Sequence, residues 1–198
     1  MSPQNIREAL ITRAIEVIAA EGLDKTTTKA IVSGTGINEA YIYRQFTNKE
    51  ELLAKAFDKL DTELFDKCMQ HIEVMYMTEL DFEFRCRAFF FALWKFLLGN
   101  RDKCVAYVRY HYSPYFVRYS LPAHKERYLP LIAKFREAFI EEADVWMVLS
   151  HILNVILDFA IKVHNEEMPN SNEYAEHVYR VIYASIEQYF IKTEEQES

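Results

Sequence analysis

The sequence has little glycine, proline and cysteine, and these shortages exclude several classes of protein. Only 4 glycines and 5 prolines occur in 198 residues, too few for the many tight turns of a sheet protein of this length. The 3 cysteines are an odd number, which fits reduced thiols in a cytoplasm better than a set of disulfides. We therefore expect an all-α, cytoplasmic protein.

The sequence also lacks the signatures of enzymes and metal sites. It has no glycine-rich phosphate loop and no serine or cysteine nucleophile motif, and its 6 histidines are scattered over residues 71–177. Cys68 and His71 lie three residues apart, but no second pair of ligands accompanies them. We expect no catalytic residue, no cofactor and no metal.

Long apolar segments are missing as well. A run such as Ala88 to Trp94 is far short of the ~20 residues needed to span a bilayer. Arg7, Glu8 and Arg13 interrupt the first segment, so it does not have the pattern of a signal peptide. We expect a soluble protein without a membrane partner.

Charge and aromatic residues are unevenly distributed along the chain. The net charge is −7, yet residues 1–60 hold 8 basic and 8 acidic side chains, so the whole excess lies in residues 61–198. Only Tyr41, Tyr43 and Phe46 of the aromatic residues precede residue 51. Because an acidic body repels DNA, only the first segment is a plausible DNA-contacting surface.

The first 48 residues predict three helices. Apolar residues at intervals of three and four over residues 6–18 predict an amphipathic helix that ends at Gly22. A second, short helix is expected after Thr27, whose hydroxyl is a suitable N-cap, and a break at residues 34–36 ends it. A third is expected over residues 38–46, with Asn38 as its N-cap.

The remainder of the chain has a helical pattern almost throughout. Asn48, followed three residues later by Glu51, predicts the start of a long helix. Apolar periodicity predicts five more helices, over residues 82–98, 105–112, 121–143, 143–165 and 172–191. Pro122 suits the first turn of the helix at 121–143, while Pro130 either kinks this helix or marks its true start.

The last two predicted helices carry more apolar surface than one core needs. Residues 145–163 are apolar nearly all the way round, and the final helix has apolar side chains beyond its main stripe. We expect these two helices to pair with their copies in a four-helix homodimer interface.

Residues 27–46 have the proportions of a helix-turn-helix, whose second helix enters the major groove of DNA. The exposed face of the second helix offers Asn38, Glu39, Tyr41 and Arg44, and side chains of these types bind base edges or phosphates. Lys49 lies at the start of the next helix, where its ammonium and the free amides both suit a phosphate.

The stretch TTTKAIVSGTGINEAYIYRQFTNKEEL, residues 26–52, closely resembles the DNA-binding signature of the TetR family of ligand-responsive transcriptional regulators. The resemblance covers roughly residues 5–55. It implies an N-terminal helix-turn-helix domain over residues 1–48 and an all-helical ligand-binding and dimerisation domain over residues 49–198. Gln45, where the family usually has an aromatic residue or histidine, and the acidic Glu39 depart from its pattern.

The resemblance implies specific roles for residues of this motif. Thr27, Tyr43 and Lys49 are expected to contact phosphates, and residues of the second helix to face the groove. The complete set of expected DNA-contacting residues is Thr27, Thr28, Lys29, Asn38, Glu39, Ala40, Tyr41, Tyr43, Arg44 and Lys49.

Aromatic residues and a few polar groups further along the chain predict a pocket for a small hydrophobic or aromatic ligand. Arg109 is a further polar candidate, and the stripe of residues 151, 154 and 158 suits either this pocket, a dimer interface or solvent. The expected pocket residues are Trp94, Tyr107, Tyr110, His111, Phe116, Trp146, His151, Asn154 and Asp158.

The function predicted from these features is a dimeric, ligand-responsive transcriptional regulator, expected to be a repressor, that binds a palindromic operator in double-stranded DNA. The alternative is a helical carrier of lipids or other hydrophobic ligands that does not bind DNA. Such a carrier would keep the aromatic body but has no need of Tyr43, Arg44 and Lys49.

Overall fold

The computed structural model describes residues 3–191, and its α-helical architecture confirms the predicted fold class. The described residues form nine α-helices: α1 (Pro3–Glu21), α2 (Thr28–Val32), α3 (Ala40–Gln45), α4 (Lys49–His71), α5 (Phe82–Gly99), α6 (Arg101–His111), α7 (Leu121–Arg136), α8 (Val145–His164) and α9 (Asn172–Ile186). Short helical turns occupy Ile72–Tyr76, Phe116–Ser120 and Glu187–Tyr189.

These helices form two compact units. The first contains the described residues up to Asp66 together with Asn100–Arg127, and the second contains Lys67–Gly99 together with the described residues from Tyr128 onward. The functional division at residue 48, expected from the sequence, stays a prediction.

The first unit has its core where α1 packs on α2, α3 and α6. Leu10 and Ile18 of α1, Ile31 of α2, Ile42 of α3 and Phe57 of α4 are almost completely buried. Burial of such side chains contributes on the order of 2 kcal/mol each, so the short helices α2 and α3 owe their stability to α1 rather than to their own length.

The predicted ends of the early helices are confirmed. Gly22 follows α1 with φ of +86°, a left-handed conformation that glycine adopts without strain, and its N–H donates to the carbonyl of Ile18 over 3.0 Å. The hydroxyl of Thr27 accepts the N–H of Ala30 over 3.1 Å, as expected of an N-cap.

In the second unit, α5 packs on both α8 and α9, which also pack on each other. Phe90 and Trp94 of α5 stack with ring centroids 5.7 Å apart, and Tyr179 of α9 lies 5.5 Å from the Phe90 ring. The Tyr179 hydroxyl donates to the carbonyl of Glu83 over 2.9 Å and fixes α9 along α5.

Two predicted helix boundaries were wrong, and one of the two alternatives left open at Pro130 is excluded. The helix expected to reach residue 143 ends at Arg136, because the Arg136 guanidinium turns back to the carbonyls of Phe139, 3.0 Å away, and Ala143, 2.8 Å away. The helix expected to start at residue 105 already begins at Arg101. Pro130 lies inside α7 and does not start it.

The last helix also ends earlier than predicted. It stops at Ile186, and the chain then pairs in extended form with the segment that follows α7. The N–H of Ile140 donates to the carbonyl of Tyr189 over 2.9 Å, and that of Ile191 donates to Ala138 over 3.2 Å. Apolar periodicity alone does not distinguish such a short pairing from another turn of helix.

Within residues 3–191, α8 is long and apolar enough to cross a bilayer by length and composition. Core helices of soluble proteins meet the same criterion, so it is weak support for a membrane span.

Candidate DNA-binding site

The first half of the candidate site is α2 with its cap. Thr27 is exposed, and its hydroxyl oxygen is occupied as an acceptor by the Ala30 amide, which leaves the O–H as a donor. Lys29 is exposed on the same short helix, while Ile31 anchors that helix in the core. Thr27 and Lys29 therefore present a hydroxyl donor and an ammonium group to solvent, and both suit a phosphate.

A tight turn connects α2 to α3. Gly34 and Gly36 have φ of +75° and +70°, values that other residues adopt only with strain. Between them, the Thr35 hydroxyl donates to the carbonyl of Val32 over 2.7 Å and accepts the N–H of Ile37 over 3.0 Å. The sequence G-T-G thus encodes the turn of the helix-turn-helix.

The helix α3 begins at Ala40 with Glu39 at its N-cap position, one residue later than the predicted N-cap Asn38. The Asn38 carboxamide oxygen accepts the N–H of Ala40 over 2.8 Å. Ile42 is completely buried and Phe46, just beyond the helix, is nearly so, and these two side chains fix the face that α3 turns to the core.

The opposite face of α3 is open. Asn38, Ala40, Tyr43 and Arg44 are exposed, and the Tyr43 side chain is 60% accessible. The Arg44 guanidinium lies 5.1 Å from the centre of the Tyr41 ring, so a cation–π contact orders the two side chains. Of the other expected residues on this helix and its start, Glu39 and Tyr41 are half-buried.

Glu39 is tied to α2, an arrangement that the sequence did not reveal. Its carboxylate accepts a short hydrogen bond from the hydroxyl of Thr28. Both residues are half-buried, so this bond joins the two helices across the turn. An acidic residue beside the exposed face of α3 thereby has a structural partner.

The N-terminus of α4 follows α3 directly and is capped from both sides. The Asn48 side chain accepts the N–H of Glu51 over 2.8 Å, and the Glu51 carboxylate accepts the N–H of Thr47 over 2.6 Å. The hydrogen bond from the Thr47 backbone lowers the pKa of Glu51, which keeps this carboxylate ionised. Lys49, half-buried, starts the helix.

Arg109 of α6 binds the helix on which the candidate site is built. The sequence alone indicates it as a polar candidate for a ligand pocket. One of its guanidinium nitrogens donates to the carbonyls of Ile18 and Ala19, each 2.8 Å away, at the end of α1. A cation there complements the negative end of the helix dipole. Arg109 thus fixes α1, the helix on which α2 and α3 rest.

Comparison with known families identifies this arrangement. Residues 10–56 match the family described as bacterial regulatory proteins, tetR family. The matched segment contains α1, α2, the turn, α3 and the start of α4. Residues 10–56 are therefore similar to the N-terminal domain of the TetR family.

Solved structures of TetR-family regulators share the fold over nearly the whole chain. One from Marinobacter aquaeolei VT8 superimposes with a TM-score of 0.73 at 14% identity, covering 90% of this chain and 94% of the other. One from Shewanella sp. PV-4 gives 0.71 at 15% identity, with 97% and 100% covered. FadR of Bacillus subtilis, in complex with stearoyl-CoA, gives 0.68 at 18% identity, with 88% and 96% covered. No curated protein matches the sequence significantly.

The residues expected in a ligand pocket divide between the two units. In the first unit, Tyr107, Tyr110, His111 and Phe116 surround Phe57, with ring centroids 5.0, 4.8, 6.4 and 5.3 Å from it. The four rings are therefore packed on Phe57 and fill the space that a ligand would need. They form a core cluster in this state of the molecule.

His111 is unusual within that cluster. Its Nδ1 atom is buried without a hydrogen-bond partner. Burial lowers the pKa of His111 to about 4, because an apolar environment disfavours the charged imidazolium. A neutral imidazole with an unused polar atom is the group in this cluster most able to accept or donate a new hydrogen bond.

In the second unit, the expected pocket residues have different environments. Trp94 is buried against Phe90, while Trp146 and Asn154 are half-buried. His151 is exposed, and its Nε2 lies 2.9 Å from the Ser185 hydroxyl of α9. Asp158 is exposed as well and pairs with Lys162 over 2.6 Å. The exposure of His151 and Asp158 suits the interface or solvent alternatives better than an enclosed pocket.

Sequence reasoning missed a buried ionic cluster centred on Asp61 of α4, which is completely inaccessible. The Tyr107 hydroxyl donates to its carboxylate over 3.2 Å, His124 Nδ1 lies 2.9 Å from it, and the Arg127 guanidinium forms short bonds with both Asp61 and Asp58. The cluster joins α4 to α6 and α7. Its signal in the sequence is an acid placed four residues after Phe57 on an otherwise apolar helix face.

Proposed function

We propose that this chain is a TetR-family transcriptional repressor that binds a palindromic operator by inserting α3 into the major groove. The observation that carries the proposal is the exposed face of α3, with Asn38, Tyr43 and Arg44 open to solvent, directly followed by Lys49 at the start of α4. Buried Ile42 on the opposite face holds this surface in one orientation.

The contacts proposed for this surface follow from side-chain chemistry. Thr27, Tyr43 and Lys49 supply hydroxyl and ammonium donors for phosphates, and Arg44 and Asn38 match the edges of guanine and adenine. Glu39 is held by Thr28, so we expect it to read the groove only where a cytosine amino group comes within its reach. The same hydrogen bond supports a positioning role for Thr28.

We propose a homodimer through α8 and α9. These helices pack on each other, and both expose large apolar side chains, among them Met147 of α8 and Val181 of α9. Pairing them with their copies would cover this surface. A twofold axis would then set two copies of α3 roughly 34 Å apart, the spacing of successive major grooves on one face of DNA.

The effector is proposed to be a small hydrophobic or aromatic molecule. The aromatic cluster around Phe90 supplies apolar surface for such a ligand, and the rings packed around Phe57 would have to separate to admit one. FadR of Bacillus subtilis, of the same fold, was solved with stearoyl-CoA, an apolar chain on a polar carrier. The proposal includes a second conformation of the dimer, in which the two copies of α3 no longer have the spacing that fits the operator. A ligand that binds this conformation better would release the protein from DNA.

We propose a cytoplasmic location, which the small, odd number of cysteines in the sequence supports. Cytoplasmic location also agrees with DNA as a partner.

Selection from a library of random duplexes tests the DNA-binding proposal. The full chain is expected to enrich an inverted repeat, and sedimentation of the complex is expected to give two chains per duplex. A variant in which Tyr43 and Arg44 are both alanine should enrich no sequence, whereas Tyr112→Ala, which alters another exposed tyrosine of the same unit, should select the same repeat.

Two results of this selection would contradict the proposal. Enrichment of no sequence by the folded wild-type chain would favour the ligand carrier. Enrichment of the same repeat by the Tyr43 and Arg44 variant would refute the role of α3. Titration of the operator complex with stearoyl-CoA and with naphthalene then tests release by acyl and by aromatic effectors.

A further inference from the structure

Residues 100–127 carry a positive charge within an acidic chain. They hold 6 basic and 2 acidic side chains, whereas the whole chain has a net charge of −7. The stretch from Lys103 to Lys125 contains no acidic residue and includes 5 tyrosines. A basic segment of this kind favours a polyanion as its partner, and nucleic acid is the commonest one.

Most of these basic groups already have partners within the fold. Lys103 pairs with Glu63 over 2.7 Å, and the Arg109 guanidinium donates to two backbone carbonyls of α1. The Arg127 guanidinium binds two carboxylates of α4. Arg118 differs from them, because within the described part of the chain its exposed side chain has no carboxylate partner.

Arg118 lies in a wide helical turn that exposes it. The N–H of Leu121 donates to the carbonyl of Phe116, five residues earlier, so the turn is one residue longer than a hydrogen-bonded turn of α-helix. Phe116 and Ser120 are buried at its two ends, and the three residues between them are exposed. Such wide turns frequently occur at functional sites.

The Arg118 guanidinium is held on an aromatic ring. It lies 5.3 Å from the centre of the Tyr119 ring, which in turn stacks on Tyr115 with ring centroids 6.1 Å apart. A guanidinium that lies on a ring keeps the N–H groups at its edge free to donate. The contact therefore orders a long side chain in advance and leaves its donors available to a phosphate.

This turn lies beside the start of α4, in the same unit as the candidate DNA-binding site. Tyr119 lines one surface cleft together with Thr47 and Asn48, which immediately precede Lys49, the first residue of α4. Double-stranded DNA carries one phosphate per about 1.7 Å of its axis. A duplex that meets Lys49 therefore presents further phosphates to neighbouring donors.

The two acidic residues of that cleft are balanced by cations. Arg7 and Lys55 attract the Glu51 carboxylate, and Arg127 binds Asp58. The cleft therefore adds no net negative charge that would oppose a phosphate beside the wide turn.

We propose that Arg118 is a further phosphate contact of this chain, in addition to those expected of Thr27, Tyr43 and Lys49, and that Tyr119 positions it. The inference rests on the proposed function, since α3 must lie in the major groove for the duplex to pass Arg118. A phosphate contact fixes the position of the duplex without reading its sequence. Arg118 therefore contributes to affinity for every sequence and not to the choice among them.

The salt dependence of binding tests this contact. Fluorescence anisotropy of the full chain is measured with the selected inverted repeat and with a shuffled duplex of equal length, from about 50 to about 200 mM potassium chloride. Arg118→Gln should weaken binding to both duplexes by a similar factor, at least about threefold at the lower salt concentration. It should also reduce the salt slope on the repeat by about 2, one for each copy in the dimer.

Arg101→Gln is the matched control for this measurement. It removes the same charge from another exposed arginine of the same unit, one that is paired with Asp102. We expect it to leave the affinity and the salt slope unchanged. Arg118→Lys, which keeps the charge, should retain the salt slope of the wild-type chain.

Replacement of Tyr119 tests its positioning role. Tyr119→Leu removes the ring but no charge and should weaken binding by at least about twofold, whereas Tyr119→Phe keeps the ring and should match the wild-type chain. The loss caused by Tyr119→Leu should disappear when Arg118→Gln is also present, because the ring acts only through the guanidinium. A loss of equal size in that double variant would overturn the positioning role.

Neutral methylphosphonate linkages, placed one at a time in the selected repeat, locate the phosphate. In the wild-type chain, substitution of the phosphate that Arg118 contacts should lower affinity. In Arg118→Gln the same substitution should lower it no further. The position should be equivalent in both halves of the repeat because the dimer is symmetric.

The outcomes separate this inference from the proposed function. Equal affinities and salt slopes for Arg118→Gln and Arg101→Gln would overturn the contact, and so would methylphosphonate effects that stay undiminished at every position in Arg118→Gln. Weaker binding to the repeat alone would overturn the assignment to phosphate. Failure of the wild-type chain to bind any duplex would refute the proposed function and this inference together.

Discussion

Replacement of Asp61 by alanine is expected to destabilise the first unit far more than the same replacement of the neighbouring Asp58. The Asp61 carboxylate is completely buried and is bound by Tyr107, His124 and Arg127. Removal of one member of a buried ion pair costs about 3–5 kcal/mol, since the remaining charge stays buried without its partner.

The magnitude follows from what the remaining partners keep. Arg127 still has Asp58 as an ionic partner after the substitution. The cost of removing Asp61 from this pair therefore lies at the lower end of that range. The Tyr107 hydroxyl loses an acceptor, and an unsatisfied buried group costs about 1 kcal/mol or more. We therefore expect Asp61→Ala to lower the free energy of unfolding by about 3–4 kcal/mol.

Asp58→Ala is the matched control, because it removes the other carboxylate bound to the same guanidinium. The Asp58 side chain is 39% exposed, and exposed pairs contribute about 1 kcal/mol or less. Urea denaturation followed by circular dichroism, at one fixed protein concentration, should separate the two variants by about 1 M in midpoint. Equal midpoints would refute the reasoning, and so would a stability of Asp61→Ala equal to wild type.

Three further predictions concern α1, the cap of α2 and the buried imidazole. Arg109→Gln should speed hydrogen exchange in the last turn of α1 and weaken DNA binding, whereas Arg101→Gln, which removes an exposed ion pair with Asp102, should do neither. Equal exchange in both variants would contradict the role of Arg109 in fixing α1. Thr27→Ala should cost about 1 kcal/mol of stability through the lost N-cap and also weaken operator binding, and Thr27→Ser should preserve both properties. Because the pKa of His111 is lowered in the folded chain to about 4 from 6.5, the unfolded chain binds the proton first, so stability should fall as the pH drops from 6.5 towards 4. His111→Phe should make that decrease shallower, and an identical pH profile would contradict the assigned pKa.

The elements of the helix-turn-helix segment could be predicted from the sequence because the signals there are local. Thr27 and Asn48 each accept an amide three residues away at the start of a helix, and such short-range patterns can be recognised without the fold. The turn at residues 34–36 is encoded in the same way, since glycine supplies its positive φ values.

The sequence was a poor guide to contacts between residues distant in the chain. Arg109 lies 90 and 91 positions from the carbonyls that it binds on α1, and nothing in the spacing of charges indicates this partner. The same holds for Asp61, whose partners are 46 to 66 residues away. Aromatic composition likewise predicts a cluster of rings, but it does not predict whether the cluster encloses a cavity. In the structure the rings around Phe57 pack against each other.

The central claim is that the open face of α3 and the first residue of α4 bind the operator, and fluorescence anisotropy with the selected duplex tests it most directly. A variant with both Tyr43 and Lys49 replaced by alanine is compared with one in which Tyr112 and Lys95, both exposed and far from the motif in sequence, are replaced. The account predicts that the first variant loses at least about tenfold in affinity and has a shallower salt dependence, because two phosphate contacts are lost. Equal affinities and equal salt slopes for the two variants would contradict it.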